Sequence, residues 1–364
     1  MSQEHKIEKI ALIETSSSHD ECLYSQLLFL KEGGYHIILI CAEELRSRVA
    51  EYGIADEVEF FEFNQNSFIK KRKALWQLRL LLASKRIRKA IFNTASSNTI
   101  RNFFSLPLNP RVKFYGTLHN IHKLKSSFSQ KIISTHIKKY FLLNDYLLDL
   151  VRNIPTGNLQ FETYYPIFFP KFKDAPVVKK EPGELWICVP GQLEYKRREY
   201  KVLADTLATL ANKLSIKFLL LGESDHPMGD GPNFRKYISD LGVSDYFIIS
   251  NKYMENASFH EYIKHSDIIM PLIHPGIHHF DLYMHNMVSG AFNLAFAYKK
   301  PLFLHSAFDK YEDFIENAIF YDNSNLGSQI QNIEKLIVYK ATSLYKNEKW
   351  QLQFQAAKYL SFLK

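Results

Sequence analysis

Cysteine is scarce, with only Cys22, Cys41 and Cys188 in 364 residues. The three have no metal-ligand spacing, and Cys41 and Cys188 fall inside apolar runs. A disulfide framework is therefore excluded, and buried, reduced thiols are expected. Long hydrophobic stretches are missing too. The longest, such as 37–42 and 267–273, are far too short to cross a bilayer, and the opening MSQEHKIEKI lacks the apolar core of a signal peptide. A cytoplasmic protein is expected. No short solenoid repeat occurs. Helix-turn-helix, zinc-finger, KH and RNP patterns are also absent, so nucleic acid is not an expected partner.

An apolar fraction of 46% supports a large core, and the length favours two globular domains over one. The net charge of +8 implies an anionic partner without choosing among nucleotide, lipid surface or polymer. Its distribution is uneven. Residues 68–89 are rich in lysine and arginine, contain no acidic residue, and interleave Trp76, Leu78, Leu80, Leu81, Leu82 and Ile87. Such a helix either lies on an anionic leaflet, giving a peripheral membrane contact, or packs its apolar side on its own sheet.

Strand-like and helix-like patterns alternate along the whole chain. KIALIET (9–15) reads as a strand, 22–31 as a helix ended by Gly33 and Gly34, and 35–42 as a second strand. Further strands are expected at 58–63, 89–94, 112–119 and 139–143. The run 161–180, with three prolines and a lysine-rich tail, interrupts the pattern. A second series follows at 186–189, 217–221, 246–250, 268–272, 301–304 and 318–321. The expected fold class is α/β, with two Rossmann-like, doubly wound domains facing across a cleft. The expected domains are 1–165 and 184–340, joined by a linker at 166–183, with 341–364 a C-terminal helix packing back on the first domain.

Parallel sheets bind ligands beyond the carboxyl ends of their strands, so candidate residues should follow strands. In the first domain these are Ser16 to Glu21, then His119, Asn120 and His122. In the second they are Gly191 to Arg198, Gly222 to Ser224, Pro271 to Asp281 and Ser289 to Asn293. The sharpest is WICVPGQLEYKRREY. A strand and a tight turn lead into a helix whose first turn carries Lys196, Arg197 and Arg198, a combination suited to phosphate. His19, Asp20 and Glu21 admit two readings: a base sharpened by an adjacent carboxylate, or a helix-capping run. The capping reading is favoured for the two acids. His274, His278, His279, Asp281 and His285 match no zinc-ligand pattern, so no metal is expected there.

In order and separation, PGQLEYKRREY, KFLLLGE, LGVSDYFIISN, FHEYIKHSDIIMPL and SGAFNLAFAYKKPLF resemble the GT-B glycosyltransferases, particularly family 4 and its relatives. The likeness is strongest over 186–321 and looser before it. It implies that Gly191, Arg197 and Arg198, with Ser289 and Gly290, hold a donor diphosphate. It further implies that Gly222, Glu223, Asn251, Asn286, Ala291, Phe292 and Asn293 line the donor sugar and nucleotide, that His119 lies near the transferred sugar, and that His19 sits on the acceptor side. Two departures stand out. Gln192 replaces an arginine common after the glycine, and Asn286 and Leu294 occupy the places of a glutamate pair.

The resemblance implies sugar transfer from a nucleotide diphosphate donor to a glycan or lipid-linked glycan in cell-surface polysaccharide synthesis. The chain has no DxD triad, and the chemistry is expected to need neither metal nor cofactor, the basic residues neutralising the leaving diphosphate. The departures keep open a degenerate nucleotide- or glycan-binding protein, and a different GT-B chemistry, such as a nucleotide-sugar epimerase or a polyol-phosphate transferase, is a third alternative.

Overall fold

A computed structural model describes residues 7–173 and 175–364. The first six residues, part of the opening segment weighed above as a signal peptide, lie outside it. The chain divides into two compact units. Among the described residues, the first comprises 7–170, 286–288 and 348–364, the second 171–173, 175–285 and 289–347.

The first unit is built on a seven-stranded, wholly parallel sheet. Its strands are β1 (Lys9–Glu14), β2 (His36–Ala42), β3 (Glu57–Phe61), β4 (Lys89–Phe92), β5 (Lys113–Leu118), β6 (Lys139–Leu143) and β7 (Gln160–Tyr164), in the order β3-β2-β1-β4-β5-β6-β7. Central strands read as unbroken apolar runs because helices cover both faces. Ile10 to Ile13 and Ile37 to Ile40 are almost completely buried. The helix Leu23–Glu32 and the C-terminal helix Leu352–Phe362 share one side of this unit. Tyr359 stacks on Phe141 at 4.1 Å, and its hydroxyl donates to Gln26 at 2.9 Å.

The second unit carries six parallel strands: β8 (Leu185–Val189), β9 (Ile216–Leu220), β10 (Phe247–Ile249), β11 (Ile268–Ile269), β12 (Leu302–His305) and β13 (Ala318–Tyr321). Their order is β10-β9-β8-β11-β12-β13. In both sheets the chain reverses its direction of winding beside the first strand, between β1 and β4 and between β8 and β11. These are the switch points where the loops diverge and leave a crevice.

Two differences from the sequence reading matter. The stretch 161–180 opens with most of β7, which pairs residue for residue with β6, so the first unit runs on to Pro170. The helix after β8 begins only at Tyr200. The three basic residues precede it, in a turn closed by the Arg197 and Arg198 amides on the Glu194 carbonyl.

Candidate functional site

At the first switch point, β1 delivers Glu14 to its carboxyl end, completely buried. Its carboxylate accepts from the Ser16 amide at 2.7 Å, the Asn93 side-chain amide at 2.6 Å and the Thr94 hydroxyl at 2.6 Å. Burial raises its pKa, opposed by those hydrogen bonds. The Asn93 amide also donates to the His19 carbonyl at 2.8 Å. That bond steadies His19 at φ 68°, a left-handed conformation seldom adopted by non-glycine residues.

His119, beyond β5, stacks on His19 with ring centroids 3.9 Å apart. Its Nε2 lies 2.8 Å from the Asn93 carbonyl, which can only accept, so Nε2 carries the hydrogen and Nδ1 the lone pair. Burial, with the His19 charge beside it, pushes the His119 pKa down to about 3. His19 behaves oppositely. Burial disfavours its charge, but the Glu21 carboxylate 3.2 Å from Nδ1, with Glu14 and Asp20 behind it, raises its pKa overall. The tautomer with hydrogen on Nδ1, donating to Glu21, leaves Nε2 as the proton-accepting atom. The unit thus joins one neutral imidazole to one of enhanced basicity.

Of the capping reading, the placement of the two acids in the first turn of Asp20–Cys22 is found, and the cap is not. No side chain caps the short helical turn Asp20–Cys22 or the helix after it. Glu21 turns to His19, and Asp20 to Arg48 at 3.0 Å. Asn120 accepts from the His122 amide at 2.9 Å, bracing its own turn.

At the second switch point, Gly191 adopts φ 105°, and a Cβ there would lie 2.5 Å from an Arg198 terminal nitrogen. Gly222 is equally constrained, since its Cβ would fall 2.1 Å from the Gly191 carbonyl oxygen. Arg198 is 7% exposed. Its guanidinium donates to the carbonyls of Pro190, after β8, and Pro271, after β11, and so pins the two loops of the switch. No carboxylate pairs with it among the described residues; Glu194 pairs with Arg197 at 2.7 Å and Lys196 at 3.3 Å. The turn therefore sets three cations against two carboxylates, Glu194 and Glu199, and among the described residues neither pairs with Arg198. A buried guanidinium answered only by carbonyl dipoles favours a nearby anion.

Ser289 and Gly290 open the helix Gly290–Tyr298, and no side chain caps its first turn. Nothing lies within 4 Å of the Gly290 Cβ position. Asn293, one turn in, is 6% exposed, and its Oδ1 has no hydrogen-bond partner among the described residues. Ala291 and Phe292 are buried, with the Phe292 ring against Phe308 and Phe314. Asn251 accepts from Arg235 at 3.3 Å, and Arg235 also reaches Ser224 and Asp225. Glu223 stands half-buried in the loop beyond β9. Asn286 is grouped elsewhere: with Met287 and Val288 it belongs to the first unit, where its carbonyl accepts from the Ile121 amide at 2.9 Å.

The histidine-rich loop separates by burial. His274 is completely buried, within 2.7 Å of the Tyr321 hydroxyl, and burial pushes its pKa down to about 3. His278 and His279 lie against each other, ring centroids 5.2 Å apart. Among the described residues no cluster of three or more His, Cys, Asp or Glu is arranged to hold a metal. Burial also lowers His260, to about 4. A histidine kept neutral in the folded state and free to protonate near pH 6.5 when unfolded contributes stability that is lost as pH falls. With His119, His274 and His260 all of this kind, the thermal midpoint should drop steadily from pH 7 to 5; an unchanged midpoint would mean these rings are not held neutral.

Glu14, Asn93, Arg48 and Arg235 were not singled out from sequence. Only the closing glutamate of KIALIE, placed at a strand's carboxyl end, offered a signal.

No protein-family model matches the chain, and no curated protein does. Solved structures do, over nearly its whole length. A glycosyltransferase from Rickettsia africae aligns with a TM-score of 0.63 at 13% identity, covering 99% of this chain and 100% of that one. HepE from Anabaena, in complex with UDP and glucose, gives 0.66 at 12%, covering 98% and 99%. A UDP-GlcNAc 2-epimerase from Neisseria meningitidis, bound to UDP-GlcNAc, gives 0.63 at 12%, also covering 98% and 99%. The fold is that of GT-B glycosyltransferases and epimerases.

Proposed function

We propose that the chain is a glycosyltransferase that moves a sugar from a nucleotide diphosphate to a hydroxyl of a glycan or lipid-linked glycan, in surface polysaccharide synthesis. The observation that carries this is the turn after β8, where Arg198 is a buried cation without a carboxylate beside two glycines that hold side chains away from the backbone. Arg197, Arg198 and the amides from Ser289 onward stabilise the departing diphosphate. The orphaned Asn293 Oδ1 accepts from a ribose or sugar hydroxyl. His19 Nε2 takes the acceptor proton as the new bond to the anomeric carbon forms and the bond to the diphosphate breaks. His119, neutral, offers its Nδ1 to a sugar hydroxyl. The neighbours crystallised with UDP or UDP-sugars make UDP-sugars the first donors to test.

Because Glu21 raises the His19 pKa, turnover should climb with pH through a midpoint above 6.5. In Glu21→Gln that midpoint should move down. A profile identical in both proteins would remove His19 as the base.

An epimerase is the second reading, favoured by the epimerase neighbour. The two part on one assay. A transferase releases nucleoside diphosphate and makes glycoside only with acceptor, whereas an epimerase converts the nucleotide sugar alone.

A further inference from the structure

The helix Phe68–Ser84 buries Ala74, Leu75, Leu78 and Leu82 against its own unit. Its need for a core is met by that face. Yet Phe68 is 68% exposed, Ile69 78%, Trp76 36% and Leu80 56%. At about 100° per residue, Ile69, Trp76 and Leu80 fall within about 40° of one another, directly opposite Leu78. These large apolar groups form a second, outward stripe, opposite the face that the helix buries.

The charge around the stripe has one sign. Lys70, Lys71, Arg72 and Lys73 are exposed, and among the described residues none is in an ion pair. Arg79 lies over the Trp76 ring at 4.9 Å. In a parallel sheet the helices run back against the strands, so the start of this helix lies at the sheet's carboxyl edge, the edge that carries His19 and His119. The helix Phe128–His136 starts at the same edge after β5, with Phe128 73% exposed and Lys125 and Lys131 exposed beside it.

We infer that this face of the first unit docks on an anionic phospholipid bilayer. The cations meet headgroup phosphates, and Phe68, Ile69, Trp76 and Leu80 enter the headgroup–acyl boundary with the helix lying flat. No crossing is involved, since no helix among the described residues is long and apolar enough to span a membrane. A nucleic acid would also meet the cations, but it gives aliphatic Ile69 and Leu80 nothing to bury against, whereas a lipid surface does. The inference deepens the acceptor side of the proposed function and rests on it only for its purpose, because docking needs no donor.

The test is flotation of the full chain with phosphatidylcholine vesicles, with and without phosphatidylglycerol, at low and high salt. Trp76 fluorescence is a second readout, selective because Trp186 and Trp350 are buried. The expected result is binding to the anionic vesicles alone, weakened by salt, with a blue shift of the emission. Replacing Lys70, Lys71, Arg72 and Lys73 together by glutamine should lower partitioning about 100-fold or more. Trp76→Ser with Leu80→Ser should weaken binding while leaving the thermal midpoint unchanged, showing an intact fold. No binding to anionic vesicles, equal binding to both kinds, wild-type partitioning by the variants, or retention on RNA but not on vesicles would each overturn it. Vesicle binding without turnover would leave the docking standing and sink the transferase reading alone.

Discussion

Arg198→Ala is expected to destabilise the second unit by about 2–5 kcal/mol, and Arg197→Ala by less than about 1 kcal/mol, although the two residues are adjacent. The Arg198 guanidinium is the common donor to the carbonyls after β8 and β11. Its loss leaves two acceptors unmet and a void beside Gly191. Arg197 is half-exposed in a pair with Glu194, where solvent screens most of the interaction. Ligand binding should order them differently. Arg197→Ala should keep the fold and weaken nucleoside diphosphate binding about tenfold. Arg198→Lys should fold better than the alanine variant yet still bind poorly, because one ammonium cannot bridge two carbonyls as a planar fork does. Chemical denaturation and calorimetric titration of the three variants provide the check. Equal, small stability losses would show that Arg198 does not hold the switch.

The second large effect lies in the first unit. His19→Ala should reduce turnover by about 10²–10⁴-fold with donor affinity unchanged, since a general base acts on the reaction and not on ground-state binding. His119→Ala should also lower turnover, but with a change in KM for the sugar, because its neutral ring positions and does not titrate near neutrality. Glu14→Gln changes both the turn that holds His19 and the charge behind it. It keeps one oxygen, which can still accept from both Asn93 and Thr94, but sets an amide NH2 against the Ser16 N–H, which disturbs the turn that leads to His19. Its turnover should fall and the pH midpoint should move down, by less than in Glu21→Gln, because the Glu14 charge adds to that of Glu21 in raising the His19 pKa. Steady-state kinetics across pH tests all three. Wild-type turnover in His19→Ala would return that residue to a structural role.

Most of the fold could be read from the order of apolar runs, because buried parallel strands have little alternative to Val, Ile, Leu and Phe. β7 escaped for a physical reason. As an edge strand it carries Gln160, Glu162 and Thr163 and is followed at once by prolines, so it has the composition of a linker. The start of the helix at Tyr200 was obscured because leucine spacing fixes a helix's face but not its first residue. The deciding interaction, Arg198 on Pro271, joins positions far apart in sequence.

The site divides in the same way. Histidines after strands can be singled out by rule, and His19 and His119 are. Glu14 looks like an ordinary charge at the end of a strand until Asn93 and Thr94 are seen to close over it. Arg235 sits within a helix, where a lone arginine reads as solvent-facing, and only the fold brings it to Ser224, Asp225 and Asn251. Capping was the cheaper local explanation for Asp20 and Glu21. Both acids do lie in the first turn, but their side chains serve other partners: Arg48, brought to Asp20 by tertiary structure, and His19, two residues before Glu21.

The most direct test of the central claim is thermal unfolding of the protein with UDP, UDP-glucose, UDP-GlcNAc and other nucleotide sugars. A ligand that binds only the folded state at about 100 times its dissociation constant adds about 2.7 kcal/mol, a rise of several degrees in the midpoint. The account predicts such a rise for at least one nucleotide sugar, diminished in Arg197→Ala. No rise with any of them, in protein that is otherwise cooperatively folded, would contradict it.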